Sequence, residues 1–402
     1  MHESDIDALV ETRRATAEGL TTEEYRERLA EELVGFRDAV EGDPQLAEEF
    51  LSHLDLGPAR SFLASLYKRP PNLPAEAMLR ASVLMALKQL RFYPEMERYL
   101  ETHPEEAVLL GFREEDGMVL TPDEKTLWHF DNKRIGDRWD EVFVLLRDAV
   151  VEAARRLGLP IGQKTMQDAT PIRARENDKE AEYNGHYKRK GYKLDTVDDL
   201  ETGLPLAKRV KGLNDDEARN LIVLLEQLRK AGIVVREHWI DCGYTDYREL
   251  AWMGVNGIEP HYRMAVNWVH NEKGERDNIL RIYQQHWKDE GFRPNADLDD
   301  ILRFLFERGC TEEVGAYFRN PVMAKYHEDP DAHMKVYHLR SRKEGNHGYW
   351  KEHLGMETRM RVKGLARVDR YLTRNLCVIL VAALTRLQNG VRTNLTSVAF
   401  LT

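Results

Sequence analysis

The chain has 402 residues, of which 42% are hydrophobic and 32% are charged, a composition that indicates an ordinary globular protein of two or three domains. Its three cysteines are odd in number and far apart, which excludes a disulfide framework or a zinc cluster built from them and indicates a reducing, cytoplasmic setting. The N-terminus lacks the apolar core of a signal peptide, and the longest apolar run, near residues 377–384, is too short to cross a membrane, so we expect no membrane partner.

The negative charge of the chain is concentrated at one end. Residues 1–60 hold 16 acidic and 6 basic side chains, which accounts for the whole net charge of −10. Residues 335–376 hold 11 basic and 4 acidic side chains. A local basic face of this kind can bind DNA even when the whole chain is acidic.

Helical periodicity dominates the first part of the chain. We predict an acidic helical region over residues 1–72, which ends in a proline-rich joint, and a helical, DNA-binding domain over residues 73–160. One of its helices carries Lys125, Lys133 and Arg134, and two interpretations of it are open. It is either the second helix of a helix-turn-helix pair, which would present these cations to DNA phosphates, or a helix packed in a bundle core.

Strand patterns begin after residue 160. A short strand over residues 162–172 is predicted to carry Asp168 to its end, and a hairpin follows over residues 191–212. A helix comes next, and then a buried strand within residues 233–244 delivers Asp241 at its carboxyl end. With a further helix, strand and helix, this order predicts an α/β, RNase H-like fold: a mixed five-stranded sheet with flanking helices, preceded by an all-α N-terminal region.

The predicted sheet domain is interrupted. Residues 161–270 form its first part, and residues 336–402 complete it with a helix and a long, increasingly apolar C-terminal helix. Between them, residues 271–335 contain amphipathic helical pieces. We interpret this segment as an insertion subdomain.

Four polar residues are predicted to share one helix face. At 100° per residue, Tyr337, Arg340, Glu344 and Lys351 fall within an arc of about 60°. A carboxylate between two cations and a phenol suits a phosphodiester, because the acid can hold a metal ion while the other groups hold phosphate oxygens. Two glycines inside the segment each cost about 0.5–1 kcal/mol in a helix, so the helix needs tertiary support. The alternative is an ordinary solvated helix face.

Four motifs in this order resemble those of insertion-sequence DDE transposases with the Y-R-E-K signature. They are QDAT (167–170), YKLDTVDDLETGLPLAKRV (192–210), DCGYTDYREL (241–250), and Tyr337, Arg340, Glu344 and Lys351 at the third acid. The resemblance covers about residues 75–390. It implies an enzyme that cleaves DNA at the terminal inverted repeats of a transposon and transfers the strands into target DNA.

The resemblance also implies the site. Asp168, Asp241 and Glu344 would be the catalytic residues and the ligands of two Mg²⁺ or Mn²⁺ ions. The DNA-binding residues would be Tyr337, Arg340, Lys351 and Tyr244. Separately from the resemblance, the charges of Lys188, Arg189 and Lys190 indicate a basic loop that contacts the DNA backbone or is merely solvated. The implied partners are double-stranded DNA, as transposon ends and as target, and a second copy of the chain in the active complex. The implied location is the cytoplasm, on the nucleoid when DNA is bound.

Two other functions are open. The chain could be an RNase H-like nuclease, which uses only water as the attacking group, or a catalytically idle, transposase-derived DNA-binding regulator. The presence of all three acids favours an enzyme over the regulator. The cations of the Y-R-E-K segment and the helical N-terminal domain favour a transposase over the nuclease.

A second glutamate lies close to the third acid in sequence. Glu344 and Glu352 would lie about 12 Å apart along a helix, in directions that differ by about 80°, so one centre cannot easily use both. Glu344 lies within the polar arc, whereas Glu352 is predicted to face solvent or another helix. This choice depends on a helix that continues through the two glycines.

Overall fold

The computed structural model describes residues 57–215, 218–264, 268–287, 296–357 and 360–398. The acidic helices predicted before residue 57 lie outside these ranges. The α-helices are α1 (Gly57–Ser65), α2 (Ala75–Leu87), α3 (Tyr93–Thr102), α4 (Pro104–Leu109), α5 (Glu124–His129), α6 (Trp139–Arg156), α7 (Ala218–Lys230), α8 (Tyr247–Val255), α9 (Arg276–Trp287), α10 (Leu298–Glu307), α11 (Thr311–Glu328), α12 (Pro330–Tyr337), α13 (Ser341–His353) and α14 (Leu365–Gln388). The strands are β1 (Glu114–Glu115), β2 (Met118–Val119), β3 (Lys164–Arg173), β4 (Glu182–Asn184), β5 (Arg189–Asp199), β6 (Pro205–Gly212), β7 (Glu237–Trp239) and β8 (Glu259–His261).

The N-terminal helices α1–α6 pack into the same core as the sheet domain. One continuous hydrophobic cluster runs from Ala59 in α1 to Val398 near the C-terminus. Helix α6 packs along α14, the long C-terminal helix. The buried ammonium group of Lys208 on β6 reinforces this contact, because it pairs with Asp140 of α6 at 2.5 Å and with Asp369 of α14 at 2.6 Å.

The main sheet has the predicted RNase H-like arrangement. Strand β5 pairs antiparallel with β3 on one edge, and on its other edge with β6 and, at its start, with the short β4. Strand β3 pairs in parallel with β7, and β7 pairs in parallel with β8. The fold class is therefore confirmed, with β4 as one strand more than the five predicted.

Strand β3 covers nearly the predicted residues, but Asp168 does not lie where the sequence pattern suggested. Asp168 does not end it but lies in its middle, because pairing with β5 continues to Arg173, opposite Gly191. Pairing with β7, in contrast, stops at Met166. Beyond that point no strand in the described part of the chain pairs with this edge of β3. Pro171 fits such an edge because it has no N–H to donate to a ladder.

The polar segment that contains the third acid is helical but is not one regular α-helix. Tyr337 ends α12, a 3₁₀ turn spans His338–Arg340, and α13 begins at Ser341. The uniform rotation assumed between Tyr337 and Arg340 is therefore wrong. The two glycines do not break the helix, since α13 continues through Gly345 and Gly348 to His353.

The helices inserted between β8 and α13 have a small core of their own. It includes Ile279 of α9, Ile301 and Leu305 of α10, and Val314 of α11, packed against Ala251 of α8. Helix α8 thus joins the insertion to the sheet domain. Within the described ranges, no helix has the length and apolar character required to cross a membrane.

Candidate active site

Asp168 and Asp241 lie beside the same cation, the guanidinium group of Arg340. The Nη2 atom of Arg340 is 3.0 Å from Oδ1 of Asp168 and 3.9 Å from Oδ2 of Asp241. The side chain of Arg340 is only 10% exposed, so water screens these contacts less than it screens a surface ion pair. Three of the predicted site residues therefore converge.

The backbone explains how the two aspartates reach one place. Asp168 lies on β3, and Asp241 follows β7, which runs parallel to β3 and next to it. The backbone N–H of Ala169 donates to Asp168 at 2.9 Å, and that of Cys242 donates to Asp241 at 2.7 Å. Their side chains are 19% and 45% exposed, so both carboxylates remain accessible from solvent.

Tyr337 adds a hydroxyl group to this cluster. Its OH donates to Oδ1 of Asp241 at 3.4 Å. Burial raises the pKa of Tyr337 above its ordinary value, although Arg340 opposes the shift. The phenol is therefore protonated at neutral pH and acts as a hydrogen-bond donor.

Lys351 and Arg189 form a second basic group along β3, and both pair with Glu357. The Nζ atom of Lys351 donates to the carbonyl oxygen of Pro171 at 2.9 Å and lies 3.6 Å from Oε2 of Glu357. The Nη1 atom of Arg189 lies 2.6 Å from Oε1 of the same carboxylate. Pro171 lies three residues beyond Asp168, about 10 Å along an extended strand. Burial lowers the pKa of Lys351, and the nearby Glu357 carboxylate opposes this.

Sequence reasoning missed Glu357. Its only signal is that it is one of four acids in the basic stretch of residues 335–376. The other two cations of the predicted basic loop are exposed. Lys188 lies in the turn of the β4–β5 hairpin, and Lys190 lies near the start of β5. Lys188 adopts a positive φ of 51°, as hairpin-loop residues often do.

Tyr244 does not lie where a DNA contact requires it. The residue is fully buried, and its hydroxyl donates to Oδ1 of Asp195 at 3.5 Å. A side chain with no exposed surface cannot touch a phosphate in this conformation. We therefore remove Tyr244 from the predicted DNA contacts.

The third acid lies on α13, which packs against β3. The side chain of Glu344 is outside the described part of the chain, so the prediction that it joins Asp168 and Asp241 stays a prediction. Glu352 is exposed, as expected of a residue that faces solvent. One turn after Glu344, His347 is buried and lies 3.4 Å from Oγ1 of Thr196, the residue opposite Asp168 on β5.

The donor atoms present fit a hard divalent cation. Asp168 and Asp241 offer carboxylate oxygens, the ligands that Mg²⁺ and Mn²⁺ prefer, and they already share one cation in Arg340. In the part of the chain that the structure describes, no group of three or more His, Cys, Asp or Glu side chains is arranged to hold a metal ion. A metal site at Asp168 and Asp241, completed by a further acid, therefore stays a prediction.

Two family models match the sequence. The model described as "Transposase DDE domain" matches residues 163–381, more than half of the chain, and this range includes Asp168, Asp241 and Glu344. The model described as "Transposase domain (DUF772)" matches residues 35–133. Neither a curated protein nor a solved structure matches the chain.

Proposed function

The chain belongs to the DDE transposases, and from this premise we propose that it cleaves DNA at the terminal inverted repeats of a transposon and joins the freed strands to target DNA. Membership of the family supports DNA as the partner and a divalent metal ion as the cofactor. Cleavage at the inverted repeats and strand transfer to target DNA are part of the proposal. The nuclease and the idle regulator remain the alternatives that its test must separate.

One observation carries the proposal. A single guanidinium nitrogen of Arg340 lies within 4 Å of both Asp168 and Asp241. Two carboxylates beside one guanidinium group match a centre in which the carboxylates bind metal ions and the guanidinium group binds phosphate. Arg340 is also the arginine of the proposed Y-R-E-K signature.

We assign Glu344 as the third acid of this centre. The position lies one turn before His347, which is buried toward the sheet beside the residue opposite Asp168. Residues three apart on a helix share a face, which supports position 344 on the same side. When bound, two divalent ions would activate the attacking oxygen and stabilise the leaving 3′-oxygen.

The residues of the chain hold and orient the phosphate. Arg340 and Tyr337, which lie beside Asp168 and Asp241, would donate hydrogen bonds to oxygens of the scissile phosphate. Lys351 and Arg189 would hold the DNA backbone beside the later residues of β3. Lys188 and Lys190 would contact the DNA backbone at the β4–β5 hairpin. Arg340 and Lys351 contact Asp168 and Pro171 of β3, respectively, which supports a DNA track along this strand.

The remaining predictions concern organisation. The five segment boundaries, the homodimer of the active complex and the cytoplasmic, nucleoid-associated location stay predictions. A dimer would allow two transposon ends to be cut in one complex. The shared core of α1–α6 and the sheet domain supports a rigid connection between end recognition and catalysis.

The function is tested with purified protein and DNA that carries the ends of the element encoding this chain, together with flanking DNA and a circular target. With Mg²⁺ we expect strand breaks at the element ends and products joined to the target. Cleavage without any joined product would favour the nuclease. Binding to the ends without cleavage would favour the regulator.

Glu357 provides a separate test of the DNA track. Its carboxylate neutralises Arg189 and Lys351, so Glu357→Gln should free both cations while an amide oxygen still accepts from the backbone N–H of Arg173. We expect tighter non-specific DNA binding, with a salt dependence steeper by about 1 for each freed phosphate contact. Fluorescence anisotropy over a salt series measures this.

The matched control is Glu352→Gln, which removes the same charge from an exposed position on α13. It should change the salt dependence less than Glu357→Gln does. Equal slopes for the two variants and the wild type would remove Arg189 and Lys351 from the DNA track.

A further inference from the structure

A buried carboxylate lies directly behind the candidate active site. Asp195 on β5 has no exposed surface. It neighbours Thr196, which pairs with Asp168, and successive residues of a strand point to opposite faces. Asp195 therefore lies on the face of the sheet opposite Asp168.

Side chains from three different elements donate to Asp195. They are Nε2 of Gln167 on β3 at 3.1 Å, Nδ2 of Asn220 on α7 at 3.1 Å, and the hydroxyl of Tyr244 at 3.5 Å. The orientation of the Asn220 amide is defined, because its Oδ1 accepts from Arg209 at 2.9 Å. Asp195 is thus a point at which three parts of the domain meet.

Two of these donors are next to the catalytic aspartates in sequence. Gln167 immediately precedes Asp168 on β3. Tyr244 ends the 3₁₀ turn Cys242–Tyr244, which Asp241 begins as its cap. Holding Gln167 and Tyr244 to one carboxylate therefore holds the backbone segments that carry Asp168 and Asp241.

Strand pairing does not provide this connection. The ladder between β3 and β7 ends at Met166 and Trp239, two residues before each aspartate. Beyond it the two segments are no longer joined by backbone pairing, although their carboxylates must keep a fixed separation to share metal ions. The hydrogen bonds from Gln167 and Tyr244 to Asp195 join the two segments on the other face of the sheet.

We propose that Asp195 is a positioning residue of the active site, which sets the separation of Asp168 and Asp241 by holding Gln167 and Tyr244. This inference rests on the proposed function. Asp195 has no exposed surface, so its effect would be transmitted through Gln167, Tyr244 and the backbone segments that carry them. Residues that orient metal ligands typically contribute about 10–100-fold to metal affinity or activity.

The test is Asp195→Asn, which keeps the shape of the side chain but replaces one of its two acceptor oxygens by a donor NH₂ group, so that the side chain no longer accepts from Gln167, Asn220 and Tyr244 together. Binding of Mn²⁺ in the absence of DNA is measured by electron paramagnetic resonance, and cleavage is measured separately. We expect about tenfold weaker Mn²⁺ binding and a similarly reduced kcat, with the Kd for end DNA unchanged. Excess Mn²⁺ should restore part of the lost rate.

A buried carboxylate elsewhere in the fold provides the matched control. Asp178 is 5% exposed and accepts from the hydroxyl of Tyr192 and the backbone N–H of Gly364, both at 2.9 Å. Asp178→Asn should lower stability without changing Mn²⁺ affinity. If Asp195→Asn behaves in the same way, Asp195 supports the fold only and the proposal is overturned.

Two further comparisons separate a failure of the variant to fold, or a failure of the proposed function, from a failure of the role proposed for Asp195. If Asp195→Asn does not fold, Gln167→Leu removes one arm of the network, and wild-type Mn²⁺ affinity in that variant would overturn the proposal. If the wild-type protein itself neither binds Mn²⁺ nor cleaves DNA, the proposed function fails. If it does both and Asp195→Asn equals it, only the role of Asp195 fails.

Discussion

Replacement of Asp168 or Asp241 by Asn is expected to reduce metal-dependent DNA cleavage by about a thousandfold or more. Each change would remove a charged oxygen ligand of the proposed metal site. Metal ions contribute several kcal/mol to stabilisation of the transition state, and about 4 kcal/mol corresponds to a thousandfold in rate. Binding to end DNA should persist or tighten, because a negative charge near the phosphate is lost while no base contact changes. Cleavage of labelled end DNA and its binding are measured on the same preparations.

The control for this prediction is Asp246→Asn. Asp246 is exposed, follows Asp241 by five residues and makes no cap hydrogen bond to α8, so the same chemical change there should leave cleavage near the wild-type rate. Cleavage at the wild-type rate in Asp168→Asn or Asp241→Asn, with Mg²⁺ supplied, would show that the site is elsewhere.

Arg374→Met is expected to destabilise the protein by about 3–5 kcal/mol, since it leaves a buried carboxylate without its cation. The Nη1 atom of Arg374 on α14 lies 3.0 Å from Oδ2 of Asp131, and Asp131 is 4% exposed. The same carboxylate accepts from the hydroxyls of Ser82 on α2 and Tyr93 on α3. The ion pair therefore joins the N-terminal helices to the long C-terminal helix, and urea unfolding measures its loss.

Two variants test the cause of that loss. The double variant Asp131→Asn with Arg374→Met removes the uncompensated charge and should recover part of the stability. Arg155→Met breaks a pair with Glu152 in which the arginine is 65% exposed, and it should cost less than about 1 kcal/mol. If Arg374→Met costs no more than Arg155→Met, the buried pair does not join the two regions.

The convergence of Asp168 and Asp241 was predicted from the resemblance of their motifs to those of a known family. Strand patterns alone placed each aspartate near a strand but did not show that the two strands are neighbours. The place of Asp168 within β3 was not predicted, because it depends on how far each neighbour pairs with β3: pairing with β7 stops at Met166, whereas pairing with β5 continues to Arg173. These limits are set by the partner strands and not by the pattern of β3 itself.

The surroundings of the site were harder to predict for the same reason. Tyr244 belongs to a motif next to Asp241 and so suggested a DNA contact, but its burial depends on Asp195 and on packing across the sheet. Glu357 meets Arg189 across 168 residues of sequence. The 3₁₀ turn His338–Arg340 has no strong sequence signal, because 3₁₀ and α conformations differ by little in backbone angles. Long-range contacts therefore decided the burial of Tyr244 and the pairing of Glu357.

The most direct test of the proposed centre is anomalous diffraction at the manganese edge from crystals of the protein with Mn²⁺ and a cleaved transposon end. We expect manganese peaks between Asp168 and Asp241, with the carboxylate of Glu344 as the third protein ligand and that of Glu352 directed away. Peaks at a different set of residues, or Glu352 in place of Glu344 beside the two aspartates, would contradict this assignment.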